Sequence, residues 1–218
     1  MGWDDPRIPK VVDSAGGDGQ TVIFQKEPYR VNKRHPWFDI SLGERAPTYV
    51  KAFIEIERNS RLKLELDKYT GFLKVDRVLH GAVHYPHSYG FIPCTYCDDK
   101  DPLDIFTLCS ETIPSGTIVE ARVIGAMRMI DQGELDDKII SVAAGDPAYT
   151  EIFNITQLPA YQRYELKKFF EEYKTLENKE VQVEEFFNHD EAAEIVRRAN
   201  EAFLKERESL LAKYNPGE

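Results

Sequence analysis

Four aspartates stand within seven positions of the segment CDDKDPLDIF (97–106), beside a proline. They are Asp98, Asp99, Asp101 and Asp104. Because like charges repel at this spacing, the run is either a solvated loop or a set of ligands for something cationic. It is not an EF-hand loop, since no glycine occupies the sixth position counted from Asp99. Carboxylate oxygens suit Mg²⁺ or Mn²⁺.

A second acidic cluster lies in MIDQGELDDK, between two apolar segments that are typical of strands. Its charged residues are Asp131, Glu134, Asp136, Asp137 and Lys138. Two such clusters that flank strands of one sheet can converge at one end of a barrel. Two divalent ions about 3.5–4 Å apart could then activate a water and neutralise a leaving oxygen. Alone, each cluster can equally be a solvated turn.

Basic side chains that could bind an anion accompany these carboxylates. Lys63 and Glu65 share one face of a predicted strand, because side chains alternate with a period of two. Arg77 follows Asp76 on the next predicted strand, and Lys138 adjoins the second cluster. Alternating charges on a hairpin are more often a solvated face. Acids, divalent metals and fixed cations together indicate phosphoryl transfer rather than sugar or peptide chemistry.

The segment 80–97 has residues that could bind a transition metal. His80, His84 and His87 have helical spacing, and the chain CTYC at 94–97 is a CxxC. Interspersed prolines and glycines disfavour a helix there, and a zinc ribbon needs a second CxxC. Structural zinc is therefore the disfavoured alternative.

Strand-like segments dominate the first two thirds of the chain, and helical ones follow. The predicted strands are 50–57, 62–67 and 72–79 (a hairpin), 104–109, 117–130 and 138–144. Amphipathic periodicity predicts helices within 158–177 and 188–214, the second with Asn188 and Asp190 near its start. We predict a mainly β protein with a barrel core and flanking helices: a single domain at 35–218 after a mobile arm at 1–34.

Composition limits the function further. The 218 residues carry a formal net charge of −10, which argues against a sequence-independent grip on nucleic acid. No apolar run approaches the ~20 residues that cross a bilayer, and the acidic, Gly-rich N-terminus is not a signal peptide. We expect a cytoplasmic protein with no membrane or nucleic-acid partner and with reduced cysteines.

Taken in order, these motifs resemble those of soluble inorganic pyrophosphatases of family I. The family signature Asp-x-Asp-Pro-x-Asp stands here as DKDPLD, before an apolar strand. Around it stand IEIERNSRLKLELDK, KVDR, YPHSYGFIP, MIDQGELDDK and FFEEYKTLENKEV, while HPWFD and MIDQGE resemble the plant-type branch. The resemblance spans roughly residues 35–185, and it implies a small, closed, five-stranded OB-like β-barrel.

The resemblance also implies hydrolysis of inorganic pyrophosphate to two phosphates with several Mg²⁺ ions per site, for which Mn²⁺ or Zn²⁺ are candidate substitutes. Asp101 matches the general base, Tyr85 a tyrosine beside the site and Glu65 a supporting carboxylate. The metal-ligand positions match Asp99, Asp104, Asp131, Asp136 and, largely through water, Glu55. The substrate-binding positions match Lys63, Arg77, Tyr89, Lys138, Tyr173 and Lys174. Pyrophosphate and phosphate are the expected partners, and a homo-oligomer stays open.

Two other functions compete with this one. An OB-like barrel can hold a nucleotide or a single strand without catalysis, using aromatic and basic groups. A hydrolase could also act on a larger diphosphate, such as a nucleoside triphosphate.

Overall fold

The computed structural model describes residues 34–214, so the predicted arm at 1–34 lies outside it except for residue 34. Three helices are present in this part of the chain: α1 (Pro36–Asp39), α2 (Ala160–Glu172) and α3 (His189–Tyr214). The strands described are β1 (Tyr49–Ile56), β2 (Leu62–Leu66), β3 (Leu73–Val78), β4 (Ser88–Phe91), β5 (Asp104–Leu108), β6 (Ile118–Asp131), β7 (Glu134–Ala143) and β8 (Val181–Phe187).

Five strands close into a ring. They follow the order β1-β4-β5-β7-β6, and β1 also pairs with β6 to complete the circuit. The β5–β7 pair is parallel and the other neighbours are antiparallel. β8 pairs with the C-terminal half of β6, beyond the residues that pair with β1, and β2–β3 form a separate hairpin. The predicted mainly β fold with a closed OB-like core is therefore confirmed.

Strand β6 is buried on both faces, and this explains its long apolar run. Ile124 and Met127 belong to one core cluster, together with aromatic residues of α2. Val123 and Ala126 belong to a second cluster, together with small and branched residues of α3. A sheet that is covered on both sides needs apolar side chains at consecutive positions rather than alternate ones. The two helices thus shield the ring from solvent.

The helices begin and end for local reasons. At α3, Asn188 Oδ1 accepts hydrogen bonds from the backbone N–H groups of Asp190 (2.8 Å) and Glu191 (3.1 Å). Glu191 Oε2 accepts from the Asn188 N–H at 3.0 Å, which completes a capping box. α2 ends at Glu172, before the end of the predicted segment. A short 3₁₀ turn then leads to Asn178, which has a positive φ of 55°.

The sequence reading missed two strands and the short helix α1. β4 lies in a segment rich in proline and glycine, a composition more typical of turns than of strands. β8 alternates buried Val181 and Val183 with exposed residues, a signal that identifies a half-buried strand. Within residues 34–214, no helix is long and apolar enough to span a bilayer.

Gly90 allows β4 to lie directly against β1. A Cβ added to Gly90 would stand 1.9 Å from the carbonyl oxygen of Phe53 and 2.9 Å from the Cα of Ile54. Both contacts are to backbone, which cannot move without breaking the β1–β4 pairing. Only glycine fits at this position.

We expect Gly90→Ala to lower the free energy of unfolding by about 2–3 kcal/mol or more, because the new methyl group overpacks a rigid contact. Gly145→Ala is the matched control, since an added Cβ there meets no atom within 4 Å. Urea unfolding followed by circular dichroism measures both variants. Equal stabilities of the two variants would contradict the close-contact explanation.

Candidate active site

The parallel pairing of β5 and β7 brings a lysine to two carboxylates. Ile105 stands opposite Ile139 in the register, so the preceding residues Asp104 and Lys138 are neighbours. Asp136 and Lys138 share one face of β7 because side chains alternate. Lys138 Nζ donates hydrogen bonds to Asp104 and, at 2.6 Å, to Asp136.

This charged group is buried. Lys138 is only 3% exposed, and burial alone would lower its pKa. Asp104 and Asp136 outweigh burial and hold the pKa of Lys138 well above its ordinary value. Burial raises the pKa of Asp136, and Asp104 acts in the same direction against Lys138. The lysine therefore stays charged and holds two acids together.

The second acidic cluster divides between the two faces of β7. Asp137 points away from Asp136 and forms a two-point ion pair with Arg128, at 2.8 and 2.7 Å. A tight turn with positive φ at Gln132 and Gly133 joins β6 to β7, as in hairpins of primed turn type. One face of this hairpin therefore supplies the site, and the other carries an ion pair outside the active-site cavity described below.

Lys174 joins the site from the end of α2. Its Nζ pairs with Oδ2 of Asp131, the last residue of β6, and lies 5.1 Å from the centre of the Tyr173 ring. The other carboxylate oxygen of Asp131, Oδ1, is buried and has no hydrogen-bond partner. Asp131 therefore retains a free acceptor inside the protein.

The acidic loop that precedes β5 is folded by its own carboxylates. Asp99 Oδ1 accepts a hydrogen bond from the Asp101 N–H at 3.0 Å, and Lys100 between them has a φ of 68°. Burial raises the pKa of Asp99 to about 6. The side chain of Asp101 takes no part in this turn. It pairs with Lys68, a residue that the sequence motifs did not single out.

The β2–β3 hairpin contributes the remaining charges. Lys63 stands opposite Arg77 in the register, and its Nζ pairs with Glu65 and, at 3.2 Å, with Asp76. On β1, Glu55 accepts a hydrogen bond from the Leu66 N–H at 2.6 Å. Burial, together with nearby Asp104, raises the pKa of Glu55 to about 8.

These groups line one cavity of about 540 Å³, here called the active-site cavity. The sequence-selected residues that line it are Glu55, Lys63, Glu65, Tyr89, Asp99, Asp101, Asp104, Asp131, Asp136, Lys138, Tyr173 and Lys174. It also contains residues that the sequence reading missed: Trp37, Lys68, Tyr69, Lys74 and Tyr214. Trp37, Lys68 and Lys74 belong to motifs quoted above. Tyr214 carries no local signal, because it depends on where α3 ends.

Two selected residues do not line the active-site cavity. Tyr85 is 1% exposed and packs behind Tyr89 and Phe169, with ring centres 5.4 and 4.7 Å away. Arg77 donates to Glu177 at 2.8 Å and to Asp76, while its third nitrogen, Nη2, is buried without a partner.

No group of three or more His, Cys, Asp or Glu side chains in residues 34–214 is spaced as a ready metal site. Around the active-site cavity, Lys138 and Lys174 occupy positions between or beside the carboxylates. In the histidine- and cysteine-containing segment, Cys94 Sγ lies 3.3 Å from the carbonyl oxygen of Ile40, and His87 is buried.

The fold is a closed, OB-like ring of strands, and the active-site cavity is lined by carboxylates and lysines.

A family profile described as inorganic pyrophosphatase matches residues 52–204 of the chain. The chain is 47% identical over 171 residues to soluble inorganic pyrophosphatase 5 of Arabidopsis thaliana (78% of this chain, 79% of that protein). It is 49% identical over 163 residues to the soluble inorganic pyrophosphatase of Oryza sativa subsp. indica (75% and 76%).

The crystal structure of inorganic pyrophosphatase from Thermus thermophilus is also similar. It superposes with a TM-score of 0.75 at 37% identity and covers 78% of this chain and 99% of that one. The chain therefore belongs to the family I soluble inorganic pyrophosphatases, and the resemblance seen in its motifs is confirmed.

His87 has a structural environment that bears on stability. It is 4% exposed, neither ring nitrogen has a hydrogen-bond partner, and Glu165 Oε2 lies 3.8 Å from its Nε2. Burial, with a further contribution from Arg58, lowers the pKa of His87 from 6.5 to about 4. The folded protein therefore holds this imidazole neutral.

We expect His87 to make the protein less stable as the pH falls. Above pH 6.5 the imidazole is neutral in both states. Below it, the unfolded chain takes up a proton that the folded chain does not, which favours unfolding by about 2 kcal/mol between pH 7 and pH 5. Urea unfolding of His87→Gln should show a correspondingly smaller fall over this range.

His84→Gln, at an exposed position of the same loop, is the matched control. A pH dependence of His87→Gln equal to that of the wild type would contradict the neutral, buried state of His87.

Proposed function

We propose that this chain hydrolyses inorganic pyrophosphate to two molecules of orthophosphate, with Mg²⁺ as its cofactor and Asp101 as general base. The observation that carries the proposal is the convergence of six aspartates and several lysines on one cavity. Membership of the inorganic pyrophosphatase family supports the same substrate. Pyrophosphate and orthophosphate are the proposed partners, while a cytoplasmic location and a homo-oligomer stay predictions.

The acids of the active-site cavity fit a hard divalent cation. Their donors are carboxylate oxygens, which Mg²⁺ prefers and Mn²⁺ or Zn²⁺ can share. Asp131 keeps a buried oxygen without a partner, and burial raises the pKa of Asp99 and Glu55, as expected for acids that lack enough positive charge nearby. We propose Asp99, Asp104, Asp131 and Asp136 as ligands, and Glu55 as a ligand through water. When bound, the ions supply positive charge that acidifies water and offsets phosphate charge.

The cations bind and orient the substrate in this proposal. Lys138 and Lys174 both reach the active-site cavity and hold carboxylates, so each can exchange a carboxylate oxygen for a phosphate oxygen. Arg77 offers a buried N–H group without a partner, and a guanidinium suits phosphate. The proposed substrate-binding residues are Lys63, Arg77, Tyr89, Lys138, Tyr173 and Lys174. Positive charge from the lysines and the arginine stabilises the leaving phosphate.

Asp101 is suited to accept a proton from water. Its side chain is 47% exposed and lines the active-site cavity from the acidic loop, where it pairs with Lys68, whereas Asp104 is tied to the buried Lys138. A general base needs only hydrogen-bond reach of the attacking water. Glu65 orients Lys63 through their ion pair, and Tyr85 supports Tyr89 by packing behind it.

The first experiment measures phosphate release from pyrophosphate with Mg²⁺ and again with excess EDTA. We expect rapid release that EDTA abolishes. A parallel assay with ATP tests the larger-diphosphate alternative, and we expect far slower release there. Folded protein that releases no phosphate from pyrophosphate with Mg²⁺ would contradict the proposed function and favour a non-catalytic binding module.

We expect Asp101→Asn to lower kcat by about 100-fold or more, because an amide cannot accept the proton. The Mg²⁺-dependent rise in melting temperature should remain, since Asp101 is not a proposed ligand. Asp98→Asn, in the same acidic run but outside the active-site cavity, is the control and should keep kcat within about twofold. Turnover of Asp101→Asn near the control's rate would rule out the assignment of the base.

A further inference from the structure

Lys68 contacts the proposed base directly. Its ammonium group pairs with Oδ1 of Asp101 and donates a hydrogen bond to the carbonyl oxygen of Lys100 at 3.1 Å. It therefore binds both the side chain of the base and the backbone just before it. Neither the family motifs as read from the sequence nor the proposed ligand set assigns this lysine a role.

The turn that carries Lys68 is rigid for local reasons. Asp67 Oδ1 accepts hydrogen bonds from the backbone N–H groups of Tyr69 (3.1 Å) and Thr70 (2.9 Å), as in an Asx turn. The Gly71 N–H donates to the Asp67 carbonyl at 2.8 Å, and Gly71 adopts a φ of 71°. The connection between β2 and β3 thus has one defined shape.

His35, just before α1, holds the backbone of Lys68 itself. His35 Nδ1 accepts a hydrogen bond from the Trp37 N–H at 3.2 Å, so the ring proton resides on Nε2. Nε2 then donates to the Lys68 carbonyl oxygen at 3.1 Å. The His35 ring packs so close to the turn that a Cβ on Gly71 would lie 3.1 Å from it. The residue at the start of α1 therefore fixes the backbone position of Lys68.

Two aromatic rings contact the ammonium group of Lys68 and help to orient it toward Asp101. Its Nζ lies 5.9 Å from the centre of the Trp37 ring and 6.0 Å from that of Tyr214, within the range of cation–π attraction. Asp101 lacks such support of its own. Its backbone N–H and carbonyl bond to Asp99 and Cys97, but these bonds leave its exposed side chain free to rotate.

We infer that Lys68 is a positioning residue for Asp101, holding the carboxylate of the base in one orientation while the aromatic pair Trp37 and Tyr214 holds Lys68. The inference rests on the proposed function, in which Asp101 accepts a proton from water. Because a small displacement of a reacting group can cost about 100-fold in rate, losing this contact should affect turnover more than substrate binding.

The test uses the full chain with Lys68 replaced by methionine, which keeps the length of the side chain and removes its charge. We expect kcat to fall about 10-fold to 100-fold while KM stays within about twofold. Lys68→Arg retains the charge and stacks well on aromatic rings, so it should recover most of kcat. Unchanged kcat in Lys68→Met would overturn the inference.

A double-mutant cycle separates positioning from direct contact with phosphate. If Lys68 acts through Asp101, then Lys68→Met should have no further effect on kcat in the Asp101→Asn background. An equal loss of kcat in both backgrounds, or a loss confined to KM, would overturn the inference.

Lys51→Met is the matched control, because the ammonium group of Lys51 bonds to Ser41 away from the active-site cavity. Lys68→Gln serves as the second uncharged variant if the methionine variant is poorly folded.

Amide hydrogen exchange supplies a measurement that does not need turnover. In Mg²⁺-free protein, Lys68→Met should exchange faster than wild type at the amides of residues 98–101, with no change in Lys51→Met. Unchanged exchange there overturns the positioning role. If wild type releases no phosphate but Lys68→Met still exchanges faster, the contact between Lys68 and Asp101 is supported. Only the proposed function is then overturned.

Discussion

The ammonium group of Lys138, buried between Asp104 and Asp136, is the interaction on which the site depends. Removing an ion from water costs several kcal/mol, so a buried lysine persists only with partners of opposite charge. The parallel register of β5 and β7 supplies one partner, and the alternation along β7 supplies the other. A shift of one residue in that register would move Asp136 and Lys138 to the other face together and separate them from Asp104.

Ring closure then brings the other acids to the same cavity. β1 pairs with β4, which pairs with β5, and this places Glu55 near the β5–β7 pair; the β6–β7 hairpin brings Asp131 to the same cavity. The close approach of β4 to β1 needs a residue without a side chain, and Gly90 meets that need. The apolar burial of β6 under two helices supports the ring, whose strands carry Glu55, Asp104, Asp131, Asp136 and Lys138. Asp99 and Asp101 stand on the acidic loop that precedes β5.

Much of this arrangement could be predicted from the sequence, because its signals are local. The spacing of Asp99, Asp101 and Asp104 and the alternation of the β2–β3 hairpin identified both the acidic loop and the strand that carries Lys63. The pairing of Lys68 with Asp101 could not be read in this way, since it joins residues 33 positions apart across a turn and a loop. Tyr214 reaches the active-site cavity only because α3 packs against the ring along its length. Strand β4 was missed because tertiary pairing overrides the turn preference of its proline- and glycine-rich surroundings.

The active-site cavity and its immediate surroundings keep more buried polar groups without partners, or with a strongly shifted pKa, than stability alone would favour. Asp131 has a buried oxygen without a partner, Arg77 a buried N–H group, and Glu55 a pKa raised by burial. Each such group costs free energy in the folded state. Violations of this kind are expected where a protein must bind a ligand. Cations and an anion that complete these groups bind the folded chain and not the unfolded one, and therefore stabilise it. In the proposed function, the same incomplete pairing that weakens the isolated fold provides the affinity for metal and substrate.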